Sequence, residues 1–544
     1  MFDLLITNAI IYPLDRENHI GQGMAIKGGK VVKIYEEERA NSSITAKKVV
    51  DLNGKTIIPG FNDCHFHFIE TAVLKKIGLY ISEVIDGKLY PNNLEGIGQK
   101  IKSFAENLQK NKPILCYNYI IPSIEEDRLP FRQEIDKWCP DRIIIIVSMD
   151  GHSSSYSTKA LKAMGISPNG HNGILKGEEH EFNMKRLKKI IEKSISISNL
   201  VNGIQDLLND AIQHGIVGIH CLDGFDELKR DLTLWFLSFF GGLFPLYIRL
   251  YPQIRDANRV IPITKRMSYK RIGGCGGWEM DGSVNSQTAA FFEPYKNSED
   301  NKGKCYFTQE EVNYYVKLAN DLGFQICSHA IGTRAIERIL SSYETILKKK
   351  EETRKKINPL RHRIEHFEFP TNDQVERAID KLKILISAQP GYSWMDETFQ
   401  QAYHKYLTPE QYQRQIPLKS IVERGGIILG SSDSPVQHLN PFIQIHGMVN
   451  FPIKKERLNI YQALRTYTYN ATYSTFEETD RGTLTPGKNA DFIILDKDPF
   501  KTPSSGLIDI KVLNTYIKGH KVNKIRLNIL NLLLKSLFTK KKKI

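Results

Sequence analysis

No two cysteines in this 544-residue chain stand at C-x-x-C spacing; the seven, Cys64, Cys116, Cys139, Cys221, Cys275, Cys305 and Cys327, lie far apart. Zinc ribbons and disulfide frameworks are thereby excluded, and a reducing, cytoplasmic setting is expected. The opening Met1-Phe2-Asp3-Leu4-Leu5-Ile6-Thr7-Asn8 lacks the basic start, apolar core and small-residue cleavage site of a secretory signal. Also missing is an unbroken apolar run of the roughly 20 residues that crosses a bilayer. The nearest, residues 232–248, is divided by Gly241-Gly242 and Pro245 into a helix-like piece ending at Phe240 and a strand-like piece from Leu246. Acid is scarce relative to base, with 61 Asp and Glu against 75 Lys and Arg and a formal charge of +14. Half of that excess sits after Asn523, in Lys524, Arg526, Lys535 and Lys540 to Lys543 with no acid among them. The remaining surface is only mildly basic, so no nucleic-acid partner is expected.

The length exceeds the roughly 250–300 residues at which one core stops growing, and more than one structural unit is expected. Residues 1–55 alternate short β-like runs with turns, including a hairpin signal at Gly28-Gly29. The same pattern returns at 491–496 and 512–522, which joins the two chain ends in one unit. Between them, strand-like runs at 114–117, 143–147, 216–220, 324–327, 383–387 and 427–429 alternate with amphipathic stretches. Such alternation argues for parallel βα units and an α/β class, without distinguishing a closed barrel from an open sheet. The stretch 344–356 is a charged helix face, with Glu351 and Lys355 at i,i+4 spacing.

The chemistry starts at Thr56-Ile57-Ile58-Pro59-Gly60-Phe61-Asn62-Asp63-Cys64-His65-Phe66-His67. Ile57-Ile58 reads as a buried strand, and along an extended chain His65 and His67 point to the same side, able to share one cation. His329, His366 and Asp433 each follow a strand-like run of their own. Four imidazoles and a carboxylate at separate strand ends suit zinc or a similar borderline divalent cation with a position left for water.

Five segments carry a resemblance: Pro59 to His67, Ser328-His329-Ala330-Ile331-Gly332, Arg361-His362-Arg363-Ile364-Glu365-His366, Gly430-Ser431-Ser432-Asp433-Ser434-Pro435 and Gly482 to Asp491. In content and order the chain resembles the amidohydrolase superfamily, most closely amidohydrolase family 3, the group of the N-substituted formamide deformylases. The resemblance implies a (β/α)8 TIM barrel over 56–480, a small β-sandwich from 1–55 and 481–522, and an additional basic, apolar helical tail over 523–544. It implies one or two divalent metals per chain, with His65, His67 and Asp433 around one and His329 and His366 on a second or beside the first. Asp433 would be the general base in hydrolysis of a carbon–nitrogen bond of a small molecule by metal-activated water. Hydrolytic deamination of a heterocyclic amine and a non-catalytic scaffold are the alternatives.

The sequence departs from the family at two places. Where many relatives carry a carboxylated, metal-bridging lysine this chain has Gly277, and simple alternation makes Glu279 the candidate bridging ligand, ahead of Lys176 and Glu178. The family's H-A-I-G-D ends here in Thr333. His152, in Asp150-Gly151-His152-Ser153, and Gln389 are substrate-pocket candidates, together with the 169–175 loop. The tail carries an apolar strip from Ile525 to Phe538 that needs burial: against an anionic membrane surface, a neighbouring copy in a homo-oligomer, or its own barrel.

Overall fold

A computed structural model describes residues 1–37, 45–85, 88–224, 231–351, 357–395, 402–538 and 543–544. Lys355, the partner expected for Glu351, and Lys540 to Lys542 lie outside them.

Eight strands run parallel in the centre: β1 (Phe61–Phe66), β2 (Ile216–Asp223), β3 (Tyr247–Pro252), β4 (Arg271–Glu279), β5 (Gln325–Ala330), β6 (Arg363–His366), β7 (Leu385–Ala388) and β8 (Ile428–Gly430). Parallel ladders join β1 to β2, β2 to β3, and β4 through β8 in succession. β4 meets β3 where Gly277 N–H donates to the Gln253 carbonyl at 3.3 Å. A parallel bridge between Phe66 and Ser434 brings the chain after β8 back to β1. Every residue of β2 is buried, the mark of a parallel strand covered on both faces.

The runs at 114–117 and 143–147 are strands, but not of this series. They lie in a separate five-stranded sheet ordered Ile174–Lys176, Ser153–Tyr156, Ile144–Ser148, Ile114–Tyr119, Gly78–Tyr80, inserted between β1 and β2. Ser153–Tyr156 folds back antiparallel on Ile144–Ser148, which a crossover unit of the central series would not do.

Thr56–Pro59 pairs antiparallel with Phe492–Leu495 and parallel with Ile10–Ile11, so the apolar run before the histidines belongs with the chain ends. Ile11, Ile57, Phe492, Ile494 and Tyr516 share one buried cluster there. The chain crosses from this sheet into β1 at Gly60, where a Cβ would lie 2.5 Å from Val217 Cγ1. Gly28 and Gly29, at φ +59° and +75°, turn the expected hairpin between Gly23–Lys27 and Lys30–Tyr35.

Residues 232–248 divide as expected into a helix, Leu232–Phe240, and the lead into β3. Among the described residues no helix is long and apolar enough to cross a membrane. The tail is pinned to the main body rather than standing off it. Ile525 N–H donates to Asn209 Oδ1 at 2.7 Å, Leu527 N–H to Gln205 Oε1 at 2.8 Å, and Ser268 N–H to the carbonyl of the buried Ile544 at 2.7 Å. Its helix, Ile529–Phe538, buries Leu532 and leaves Leu530, Leu533, Leu534 and Leu537 exposed.

A charge cluster ties β3 to the chain after the last strand. Glu477 accepts from Arg249 through Oε1 and from Arg481 through Oε2, the latter at 2.7 and 3.1 Å. Burial opposes ionisation of Glu477, but Arg481 and Arg249 outweigh it and hold the carboxyl well below the usual range. Glu477→Gln is expected to destabilise the chain by about 3–5 kcal/mol, because two largely buried guanidinium groups lose their counter-charge. The Glu477 contribution is present above the unfolded carboxyl value of about 4.3 and is lost as pH falls toward the depressed folded value. Denaturant melts of parent and variant at neutral pH, and again in acid where the gap should close, check this.

Candidate functional site

The C-terminal strand ends converge. His65 lies in β1 and His67 directly after it, His329 is in β5, His366 closes β6, and Asp433 follows β8. His366 and Asp433 have φ of +68° and +58°, a left-handed backbone that costs of order 1–3 kcal/mol for such residues and gathers at functional sites. Backbone bonds hold the two ends together: Asp433 N–H donates to the His65 carbonyl at 2.9 Å and His67 N–H to the Ser434 carbonyl at 3.0 Å.

Hydrogen bonding fixes which ring nitrogens are bare. His65 Nδ1 is 2.7 Å from Glu365 Oε2, and His67 Nδ1 is 3.2 Å from the Leu222 carbonyl. Carboxylates and carbonyls only accept, so both Nδ1 atoms carry hydrogen and, in neutral rings, both Nε2 atoms are lone pairs. Each Nε2 lies 3.1 Å from the same oxygen, Asp433 Oδ1, itself buried without a donor. A metal cation between them would satisfy all three as acceptors. A ring proton satisfies the same contacts: burial opposes charge on His65, but Asp433 and Glu365 outweigh it and push the ring up to about 9. Asp433 behaves reciprocally, burial being outweighed by His65 and His67, which hold its carboxyl well below the usual range.

The second pair follows the same logic. His329 Nε2 donates to the Gly282 carbonyl at 3.3 Å, which leaves Nδ1 bare, and buried His366 Nε2 has no partner. Burial and His366 depress His329 well below the ordinary imidazole value, and burial pulls His366 down to about 3, so both rings keep lone pairs at neutral pH. The His329 and His366 ring centroids are 4.4 Å apart, and those of His65 and His366 are 5.2 Å apart.

Glu279 does not stand among these ligands. The β4 ladder runs from Arg271 opposite Gln325 to Gly274 opposite Ser328, breaks, and resumes with Glu279 opposite His329. The intervening bulge cancels the alternation that placed Glu279 on the side of residue 277. Glu279 instead accepts from Gly276 N–H at 3.1 Å, and its Oε1 lies 3.1 Å from His152 Nδ1, which is also 3.4 Å from Glu181 Oε1. Cys275 takes the interior position, its Sγ 3.6 Å from His65 Nε2 and 3.9 Å from His329 Nδ1. The glycines beside it allow this, since a Cβ on Gly273 would stand 1.9 Å from the Cys327 carbonyl oxygen.

His152 flanks the centre, its ring 5.4 Å from that of His329. Burial opposes charge on His152, but Glu279 and Glu181 outweigh it and raise the ring well above its ordinary value. Gln389 is buried after β7 and donates to Ser431 Oγ at 2.9 Å. Lys176 and Glu178 are exposed, Glu178 pairing with Lys304 rather than with the histidines, and Thr333 accepts from Phe292 N–H at 2.9 Å. Sequence reasoning passed over Cys275, Glu365 and Tyr392, whose hydroxyl donates to Asp433 Oδ2 at 2.7 Å. A single cysteine inside Gly273-Gly274-Cys275-Gly276-Gly277 was the available signal.

Glu365→Gln is expected to weaken metal binding about 10- to 100-fold, because the carboxylate that keeps hydrogen on His65 Nδ1 is replaced by an amide able to donate to it. Glu365 also pairs with Arg363 at 2.5 Å, so the variant melts earlier, and the metal titration is read well below that transition.

The chain is similar to known proteins along nearly its whole length. The amidohydrolase family profile matches residues 48–522. N-substituted formamide deformylase of Arthrobacter pascens is 23% identical over 95% of this chain and 98% of its own length. Protein LONG AFTER FAR-RED 3 of Arabidopsis thaliana is 26% identical over 96% of this chain and 91% of its own. A metal-dependent hydrolase from Pyrococcus horikoshii OT3, 22% identical, shares the fold with a TM-score of 0.68 over 92% of this chain and 99% of its own.

Proposed function

This chain belongs to the amidohydrolase family and is a hydrolase; from that premise we propose that it uses a bound divalent metal to hydrolyse a carbon–nitrogen bond of a small, non-peptide amide, on a (β/α)8 barrel closed by a β-sandwich of both chain ends. The observation that supports the reading is the convergence of His65 Nε2, His67 Nε2 and Asp433 Oδ1 at 3.1 Å contacts, an arrangement that a bound metal cation would satisfy. A donor set of imidazole nitrogen and carboxylate oxygen favours zinc. Two histidine pairs favour the amide reading over deamination, which typically uses one ion.

His65, His67 and Asp433 would hold one cation and His329 with His366 a second. Bound there, a divalent cation supplies acidified water, its pKa lowered from about 16 to roughly 7, and a Lewis acid for the substrate carbonyl. Tyr392 anchors Asp433 through Oδ2 and directs Oδ1 into the centre. Asp433 takes the proton of the attacking water and returns it to the leaving nitrogen. His152, kept proton-bearing by Glu279 and Glu181, donates to the acyl side of the substrate.

Purified chain with its metal counted is assayed on a panel of N-substituted amides, formamides included, and of heterocyclic amines. Release of carboxylate and amine from the amides is the expected result. Ammonia release from the heterocycles alone overturns the amide reading in favour of a deaminase, and metal-loaded chain inert on the whole panel overturns it in favour of a scaffold.

A further inference from the structure

The sulfur of Cys275 belongs to two ligand-grade groups. Ligand atoms of His65, His67 and Cys275 lie within 4.8 Å of one another, and so do those of Cys275, His329 and His366. The nitrogens facing the sulfur are the ones the hydrogen bonding strips bare. His65 Nε2, whose partner Nδ1 donates to Glu365, is 3.6 Å away, and His329 Nδ1, whose partner Nε2 donates to Gly282, is 3.9 Å away. One thiol hydrogen can serve only one of these lone pairs, and buried His366 Nε2 remains without any donor. Tetrahedral zinc with nitrogen at about 2.1 Å and sulfur at about 2.3 Å would set the two ligand atoms about 3.6 Å apart, close to the 3.6 and 3.9 Å observed. The backbone is shaped for this. Gly273 and Gly274 at φ +114° and the break in the β4–β5 ladder turn Cys275 inward, at a place where alternation would give the interior to another residue.

We propose that Cys275, as a thiolate, is the shared ligand of a two-metal centre, bridging a cation on His65, His67 and Asp433 to a second on His329 and His366. The inference rests on the metal-dependent reading above and specifies its centre. On loading, the Cys275 S–H gives its proton to solvent and the sulfur bonds to both ions, so no carboxylate from Glu279 and no modified lysine is required. The adjacent Glu279–His152–Glu181 group stays free to contact substrate.

The apo chain is loaded with cobalt(II), which reports its ligands by absorption and its neighbours by magnetic resonance. The parent is expected to bind about two cobalt ions per chain, with a near-ultraviolet thiolate-to-cobalt band and a resonance signal weakened by spin coupling. Cys275→Ser is expected to lose the band, and Cys275→Ala to lose the coupling and one cobalt equivalent. Far-UV circular dichroism and thermal melts on both variants establish that they are folded. A fully loaded parent without the band, or a band that survives in Cys275→Ser, overturns the shared thiolate and leaves the hydrolase reading intact. Failure of the parent to bind cobalt overturns both.

Discussion

Asp433→Asn lowers turnover by roughly 100- to 10,000-fold, the usual worth of a positioned proton carrier, with fold and metal content largely retained. The amide copies the carboxylate in shape: its oxygen can still face His65 and His67, and its nitrogen can meet Tyr392, which now holds Asp433 Oδ2 at 2.7 Å. An amide cannot accept the proton that the attacking water must lose. Initial rates at saturating substrate, elemental analysis and far-UV circular dichroism on the same preparations check the prediction. Turnover at the parent rate would assign the proton transfer to another group, and loss of metal would make Asp433 chiefly a ligand.

Replacing His65 and His67 together by Ala acts on the metal instead, lowering bound cation by roughly half or more because one ion loses both of its imidazole donors. The fold should survive, since Glu365 loses His65 but keeps its ion pair with Arg363, and Arg363 still donates to the Cys64 carbonyl at 2.7 Å. A chain stabilised by a bound ion melts earlier once the ion is removed, by about 2.7 kcal/mol when free metal stands at 100 times its dissociation constant. Parent protein should therefore lose melting temperature on chelation and the double variant should respond much less. An equal chelator response in both would place the stabilising ion elsewhere.

The α/β alternation, the union of the two chain ends and the five histidine and aspartate positions were legible because each is written locally. A β-branched run, a turn signal or a His-x-His pair keeps its meaning within a few residues. The strands at 114–117 and 143–147 were legible as strands but not in their sheet, since membership is decided by pairing with segments far along the chain. Likewise, the apolar run at 57–58 was recognisable while its partners, Phe492–Leu495 and Ile10–Ile11, were not. Glu279 was given the wrong neighbours for a different reason: alternation with period two holds only while the ladder is regular, and the bulge after Gly274 breaks it.

The sequence by itself determined the family, the α/β class and the donor types, because these depend on residue identity and short-range spacing. Only the tertiary structure decided the state of each donor. The proton on His65 Nδ1 is placed by Glu365, 300 positions away, and that on His67 Nδ1 by a carbonyl 155 positions away. Those bonds leave bare nitrogens facing Asp433 and Cys275, and no pattern within β1 or β4 records them. Coordination is a property of points in space: a cation needs lone pairs within a few ångströms of one another, and the chain brings them there only after every strand has its neighbour.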